Sequence, residues 1–208
     1  SRLLVVIFLL IGTLSYGQTS FKDSILFHLK AKPEPFVTLN NRKTFLLSNK
    51  LTMYGIIGGV QFDEKVKLFA GIYGFGKANE TFLRSTHFGL DSIYRTTSTS
   101  NFSVGMEYEY FREKRLSLSL PIQIGIGNIN HKYFLYDKET EVLKESFITL
   151  PLDFGTNAYF EVLPWVGIKG GLGYRLNIGK KEAATLSSPY YNLGVSVLLG
   201  KIYREIKN

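Results

Sequence analysis

Strict alternation of apolar with small or polar residues is the feature that most constrains the fold of this chain. Its clearest run covers residues 116–126, where every even position is Leu or Ile and Ser, Pro, Gln or Gly lies between them. Successive side chains of a β-strand point to opposite faces, so this run presents an aliphatic stripe on one face and a thin polar stripe on the other. Three further stretches alternate similarly. The pattern predicts an all-β protein whose strands each have one apolar face.

The first residues predict export. Arg2 precedes an apolar run over residues 3–11, and small residues follow up to Gly17, so we expect a signal peptide over 1–17 and a mature start at Gln18. The alternative is a transmembrane helix, but the run is shorter than the roughly 20 apolar residues that a span needs. The sequence contains no Cys, which excludes a disulfide framework, a thiolate metal site and a lipobox anchor.

The remainder has the length of one domain. Residues 18–35 are expected to be an N-terminal periplasmic segment with a short helix, because apolar residues of 21–29 recur at near-helical spacing before Pro33 and Pro35. Residues 36–208 are expected to be the β-domain. The formal charge of +8 falls to +7 when Arg2 leaves with the leader. Its Lys and Arg residues are scattered, which favours anionic lipid or lipopolysaccharide over nucleic acid as partner.

Eight strands can be read along the chain. They cover Phe36–Leu47, Leu51–Phe62, Val66–Gly76, Asn101–Phe111, Arg115–Asn128, Phe147–Glu161, Trp165–Ile178 and Tyr190–Tyr203. The connections alternate between very short turns and longer polar loops, as in transmembrane barrels with short periplasmic turns and longer external loops. A turn at residues 40–43 would instead give seven or nine strands.

A soluble lipocalin-type barrel would also alternate, with its apolar face inward. Three features favour a membrane barrel: polar faces built mainly of Gly, Ser, Asn and Gln, aromatic residues near the strand ends, and the asymmetry of loop lengths. We therefore predict an all-β fold, an eight-stranded antiparallel up-and-down transmembrane β-barrel with a short N-terminal helix, located in the outer membrane.

On this reading the inward-facing polar residues can be named. Both signs of charge occur among them, and we expect a hydrogen-bonded plug, since the interior of an eight-stranded barrel is narrow enough for side chains to fill. A proton or ion path through the same residues is the alternative, and a wide pore is disfavoured. The predicted lumen network consists of Glu107, Glu109, Gln123, Asp153, Asn157, Glu161, Lys169 and Arg175.

Prolines and glycines also fall inside predicted strands. Pro121 and Pro151 each remove a ladder donor and are expected to mark a β-bulge. Gly170, Gly171 and Gly173 resemble a nucleotide loop only superficially, because no helix follows them. We read them as strand glycines beside a crowded lumen.

No strong catalytic or metal-binding motif is found. His28, His87 and His131 lack zinc-site spacing and are expected to be solvated. A Ser–His–acid set of Ser85, His87 and Asp91 can be drawn in one loop, but such residues are common in polar loops. We expect no cofactor and no enzymatic activity.

The chain resembles the small outer-membrane barrels of Bacteroidota, of the PorT and OmpX type. The motifs that carry this resemblance are Tyr16-Gly17-Gln18, Leu120-Pro121-Ile122 and Leu150-Pro151-Leu152. It implies an architecture and no specific functional residue. Two functions are left open. One is a non-enzymatic structural, accessory or surface-interaction barrel that contacts lipopolysaccharide, another outer-membrane protein or a secretion complex. The other is a lipid-modifying enzyme or a carrier of a small hydrophobic ligand.

Overall fold

The structure of the protein is a computed structural model. It describes residues 23–45, 50–75, 79–83, 93–135, 141–179, 184 and 186–207. The predicted leader 1–17 and the set of Ser85, His87 and Asp91 lie outside these residues.

Nine strands occupy eight positions of a closed antiparallel ring. β3 and β4 follow each other along the same neighbour, β5, and therefore share one position. The ring closes because β1 pairs with both β2 and β9, and β3 pairs with both β2 and β5. The elements are α1 (23–28), β1 (Pro33–Phe45), β2 (Lys50–Phe62), β3 (Val66–Phe75), β4 (Asn79–Leu83), β5 (Ile93–Glu113), β6 (Leu116–Leu135), β7 (Glu141–Leu163), β8 (Val166–Gly179), β9 (Ser188–Val197) and α2 (Leu199–Lys207).

The prediction of an eight-stranded antiparallel barrel with a short N-terminal helix is confirmed. Residues 40–43 lie inside β1, which pairs without interruption with β2, so they form no turn. Short turns at 63–65, 114–115 and 164–165, together with α1 and α2, lie at one end of the barrel, which we call the short-turn end.

The outer wall is apolar and the inner wall is polar. In β6 the even-numbered residues from Leu116 to Ile126 point outward, and most of them are exposed, while Ser117, Ser119 and Gln123 are buried inside. At ~3.3 Å per residue and a tilt of roughly 40°, this stripe spans about 25 Å along the barrel axis, the height of a transmembrane barrel's apolar band. Polar residues such as Asn128 and Lys132 follow beyond it on the outer face of β6.

Three strands run much farther than the sequence predicted. β5 begins at Ile93 instead of Asn101, β6 ends at Leu135 instead of Asn128, and β7 begins at Glu141 instead of Phe147. The polar residues there suggested loops. They remain strands because β6 pairs with β5 on one side and with β7 on the other in this region. A strand outside the lipid band needs no apolar outer face.

The C-terminal boundary was also predicted wrongly. The strand expected to continue to Tyr203 ends at Val197, and a helix follows. Leu199, Ile202, Tyr203 and Ile206 recur at helical spacing, a change of period from 2 to 3.6 that marks the transition. Among the described residues, no helix is long and apolar enough to cross a membrane.

The two prolines cause no bulge. Pro121 pairs in regular register with Glu107, and Pro151 with Asn177. Between β6 and β7 the pairs next to both prolines are interrupted, but the register on either side is unchanged. The register shifts of the described strands lie elsewhere, between Glu109 and Phe111, Tyr133 and Phe134, and Glu161 and Leu163. Each proline therefore costs local ladder bonds without inserting a residue.

Candidate functional site in the barrel lumen

Asp153 of β7 is the centre of the first buried charge cluster in the lumen. Its carboxylate is 1% exposed and accepts from Arg42 Nη1 at 2.5 Å, from Arg175 Nε at 2.6 Å and from Arg175 Nη2 at 2.7 Å. Gln123 Nε2 donates to it at 2.5 Å. These partners come from β1, β8 and β6, so one carboxylate connects strands from opposite parts of the wall. Charge-assisted bonds of this kind are the strongest class of side-chain hydrogen bond.

Glu107 of β5 is the centre of a second cluster, nearer the short-turn end. Lys169 donates to its carboxylate, and Lys67 Nζ lies 3.9 Å from it. Ser119 Oγ donates at 2.9 Å and Asn157 Nδ2 at 3.1 Å. Residues of β3, β5, β6, β7 and β8 thus meet at one carboxylate. Together with the Asp153 cluster, it links most of the ring from the inside.

Each cluster contains one acid and two bases, so each has a surplus cation. Aromatic faces compensate for it. The Arg42 guanidinium lies 4.8 Å from the centroid of the Tyr73 ring and 4.2 Å from that of Tyr190. Lys67 Nζ lies 5.3 Å from the centroid of the Tyr159 ring. A cation over a ring face gains up to about 2 kcal/mol when desolvated, which helps to offset the cost of burying it.

Glycines on neighbouring strands make room for these rings. A Cβ atom at Gly173 would lie 2.5 Å from the hydroxyl oxygen of Tyr190, and one at Gly55 would overlap the ring of Tyr73. A Cβ atom at Gly171 would overlap the side-chain oxygen of Asn157. The interpretation as residues beside a crowded lumen is therefore correct for Gly171 and Gly173 and wrong for Gly170, which faces outward next to the exposed Leu193.

A third group of charges closes the lumen at the short-turn end. Arg112 makes a two-pronged pair with Glu109 at 2.7 Å for both contacts and reaches Glu64 at 2.6 Å. Lys201 of α2 lies 2.7 Å from Glu64 and 3.4 Å from Glu161. The side chain of Lys201 thus connects the β2–β3 turn to the end of β7.

Glu64 lies in this turn, outside the membrane-spanning segments. Burial acts to raise its pKa, but the ammonium of Lys201 and the guanidinium of Arg112 outweigh that effect and hold the pKa below its usual range. Asp63 and Glu64 both adopt positive φ, 49° and 56°, where Asn and Gly are preferred. Both side chains nevertheless make ion pairs. Asp63 pairs with His28 of α1 at 2.7 Å, and Glu64 pairs with Arg112 and Lys201.

The eight residues named from the sequence are distributed over these three groups. Gln123, Asp153 and Arg175 meet in the first, Glu107, Asn157 and Lys169 in the second, and Glu109 and Glu161 at the mouth.

Sequence reasoning missed Arg42, Lys67 and the lumenal tyrosines. Arg42 stood in a segment that also suggested a turn. Lys67 could have been found from alternation, because it lies between Val66 and Leu68 in a predicted strand and therefore on the face opposite to theirs, which is the inward face. Tyr159 and Tyr190 were counted among the aromatic residues near strand ends that were expected to face lipid, whereas both are buried in the lumen, as is Tyr73, to which no role was assigned. Gly55 and Gly173, which pair directly with Tyr73 and Tyr190 across the ladder, are the signal that identifies these two tyrosines as inward.

The space left between side chains is small. A cavity of about 20 Å³ lies between the first two clusters, enough for about one water molecule. Asn40 and Asn192 line it, and within the described part of the chain their side-chain oxygens have no hydrogen-bond donor. The lumen can therefore hold isolated water. Its charges are paired with one another inside the lumen, between side chains of different strands.

His131 differs from the expectation of a solvated loop histidine. It is 6% exposed, faces inward from β6, and its Nδ1 lies 2.9 Å from the hydroxyl of Thr97. Its ring also makes an edge contact with Phe147. The extension of β5, β6 and β7 as strands places it in a packed position. Across the described ranges, no group of three or more His, Asp or Glu side chains is arranged to hold a metal ion.

Comparison with known proteins identifies the class of fold. No protein-family model matches the chain, and no curated protein matches it in sequence. Among solved structures, Neisserial surface protein A is similar with a TM-score of 0.52 and 11% identity over 80% of this chain and 95% of that one. A major outer membrane protein from Thermus thermophilus is similar with a TM-score of 0.54 and 9% identity, over 78% of this chain and 98% of that one.

These likenesses show the fold. The chain is an eight-stranded β-barrel of the outer-membrane type. Its closed ring and its apolar band of about 25 Å fit the hydrocarbon layer of a membrane, where every backbone polar group must be paired within the protein. The protein is located in the outer membrane.

Proposed function

We propose that the protein is a non-enzymatic barrel with a side-chain-filled lumen that serves as a structural, accessory or surface-interaction protein. The observation that carries this proposal is the pairing of charged side chains from different strands inside the lumen. Asp153 and Glu107 each bind residues from several strands, so the interior holds the barrel together instead of leaving a passage. We also propose that the protein is related to the small outer-membrane barrels of Bacteroidota. The motifs around Gly17, Pro121 and Pro151 support this relationship.

The surface that contacts partners is proposed to be the sheet formed by β4 and the extensions of β5, β6 and β7. Short turns face the periplasm in barrels of this kind, so these extensions lie on the external side. Lys132 of β6 lies directly opposite Lys144 of β7, and both side chains are accessible. Like charges directly opposite each other are destabilising. Glu141 pairs with Lys132 at 3.0 Å and balances one of the two charges, and an anionic group such as a lipopolysaccharide phosphate would balance the other.

The test is purification of the tagged full-length protein from its own outer membrane in mild detergent, followed by identification of bound protein and lipid. A stoichiometric protein partner, or lipopolysaccharide retained by the protein and reduced in the Lys132→Glu/Lys144→Glu variant, would support the proposal. A matched control is Lys114→Glu/Arg115→Glu, which reverses two accessible charges at the other end. A barrel that carries neither, or that releases chemically altered lipid, would contradict it and favour a lipid-modifying enzyme or a carrier.

A further inference from the structure

α2 has one polar face that is bound to the barrel and one apolar face that is not. Arg204 makes a two-pronged pair with Glu34 of β1, at 2.6 and 3.1 Å, and Lys201 binds Glu64 and Glu161. At about 100° per residue, the apolar side chains fall within an arc of about 100° on the opposite side. This apolar face consists of Leu199, Ile202, Tyr203 and Ile206, with Tyr203 67% and Ile206 81% exposed.

The apolar face continues the lipid-facing wall. Along β9 the outward series is Leu193, Val195 and Val197, while Ser196 and Leu198 point inward and are buried. Leu199 is the next residue of the outward series and the first of the helix. The helix therefore begins on the lipid-facing side, at the level where the wall ends. A face of about two helical turns that extends an established lipid contact fits lipid at its headgroup boundary.

α1 has a similar arrangement at the same end. Ser24 Oγ lies 3.2 Å from the hydroxyl of Tyr108, a residue of the outward series of β5. His28 is held by Asp63 at 2.7 Å, in the turn that also binds α2 through Glu64. Leu26 and Phe27 remain 50% and 68% exposed. One turn thus holds two helices that each expose apolar side chains next to the wall.

We propose that α2 lies in the headgroup region of the periplasmic leaflet, with its apolar face inserted among phospholipid acyl chains. Lys207 flanks this face and is placed to contact phosphate groups. The lipid contact stands on the geometry alone. Only the choice of leaflet rests on the orientation proposed above.

The experiment uses tryptophan fluorescence of the full chain folded in phosphatidylcholine vesicles that contain lipid brominated at defined acyl depths. Trp165, the only tryptophan, is first replaced by Phe. Tyr203→Trp then reports from the apolar face, and Glu205→Trp, in the same turn of the helix, is the matched control. We expect roughly twofold or stronger quenching for Y203W and little for E205W, with shallow bromines more effective than deep ones, since such helices insert only about 5–10 Å.

Equal quenching of Y203W and E205W, or none for Y203W, would overturn the proposal, because the apolar face would then not be the side of α2 that contacts lipid. Ile206→Trp is a second probe if Y203W fails to fold, which is checked by the change in gel mobility on boiling. Quenching does not depend on external partners. The lipid contact and the proposed surface function can therefore fail separately.

Discussion

Replacement of Asp153 by Asn is expected to destabilise the barrel strongly. The carboxylate is buried and accepts four hydrogen bonds, of which three come from the guanidinium groups of Arg42 and Arg175. Asn retains one acceptor oxygen and adds a donor that faces these cations. Two buried positive charges would lose their anion. Removal of one partner from a buried pair costs about 3–5 kcal/mol, and we expect the free energy of unfolding to fall by that amount.

The assay is equilibrium unfolding by urea in lipid vesicles, followed by Trp165 fluorescence and by gel mobility without boiling. The matched control is Glu141→Gln, which breaks an exposed pair with Lys132 at 3.0 Å and is expected to cost about 0–1 kcal/mol. The combined variant Arg42→Leu/Asp153→Leu/Arg175→Met removes the charges together. It should be more stable than D153N, because no unpaired charge stays buried.

A loss below about 1 kcal/mol for D153N, similar to that of E141Q, would refute this reasoning. It would mean that water screens the guanidinium groups inside the lumen. The interior would then be a hydrated passage, and the alternative of an ion or proton path would be favoured over the plug.

Three further outcomes are expected. Tyr190→Leu should lower the free energy of unfolding by about 1–3 kcal/mol, measured by urea unfolding, because Arg42 loses a ring 4.2 Å away; a change no larger than that of Tyr191→Leu on the outer face would contradict the contact. Gly173→Ala should cost about 1–3 kcal/mol, because a Cβ atom there lies 2.5 Å from both Cζ and the hydroxyl oxygen of Tyr190 and 2.6 Å from the backbone oxygen of Phe154; a cost no larger than that of Gly170→Ala, whose Cβ has no neighbour nearer than 3.5 Å, would contradict the overlap. Since the pKa of Glu64 is lowered in the folded state, its contribution to stability is present above the unfolded pKa, about 4.3, and is lost as pH falls through the folded pKa. Acidification should therefore lower the protection factors of the α2 amides, meaning the ratio of the intrinsic to the measured exchange rate at each pH, in the native protein but change them little in Glu64→Gln; an equal fall in both would contradict this assignment.

The sequence was sufficient for the wall of the barrel because one physical pattern specifies it. A transmembrane strand must alternate outward apolar with inward polar residues over the thickness of the lipid, as residues 116–126 do. Outside the lipid that requirement ends. Residues 93–100 and 129–135 therefore looked like loops although they pair as strands.

The candidate site was only partly predictable for a similar reason. Acids and bases at inward positions, such as Asp153 and Lys169, are visible from alternation alone. Which acid meets which base depends on the register between strands, which one sequence does not give. The compensating rings of Tyr73 and Tyr190 depend on the glycines opposite them and become recognisable only once these pairs are known.

The measurement that tests the central claim most directly is the electrical conductance of the folded protein in a planar lipid bilayer. A lumen filled by paired charges predicts no resolved openings for the native barrel, and a conductance that appears when Asp153 and Glu107 are both replaced by Ala. A steady conductance of the native protein that is proportional to voltage and unchanged in the double variant would contradict the account.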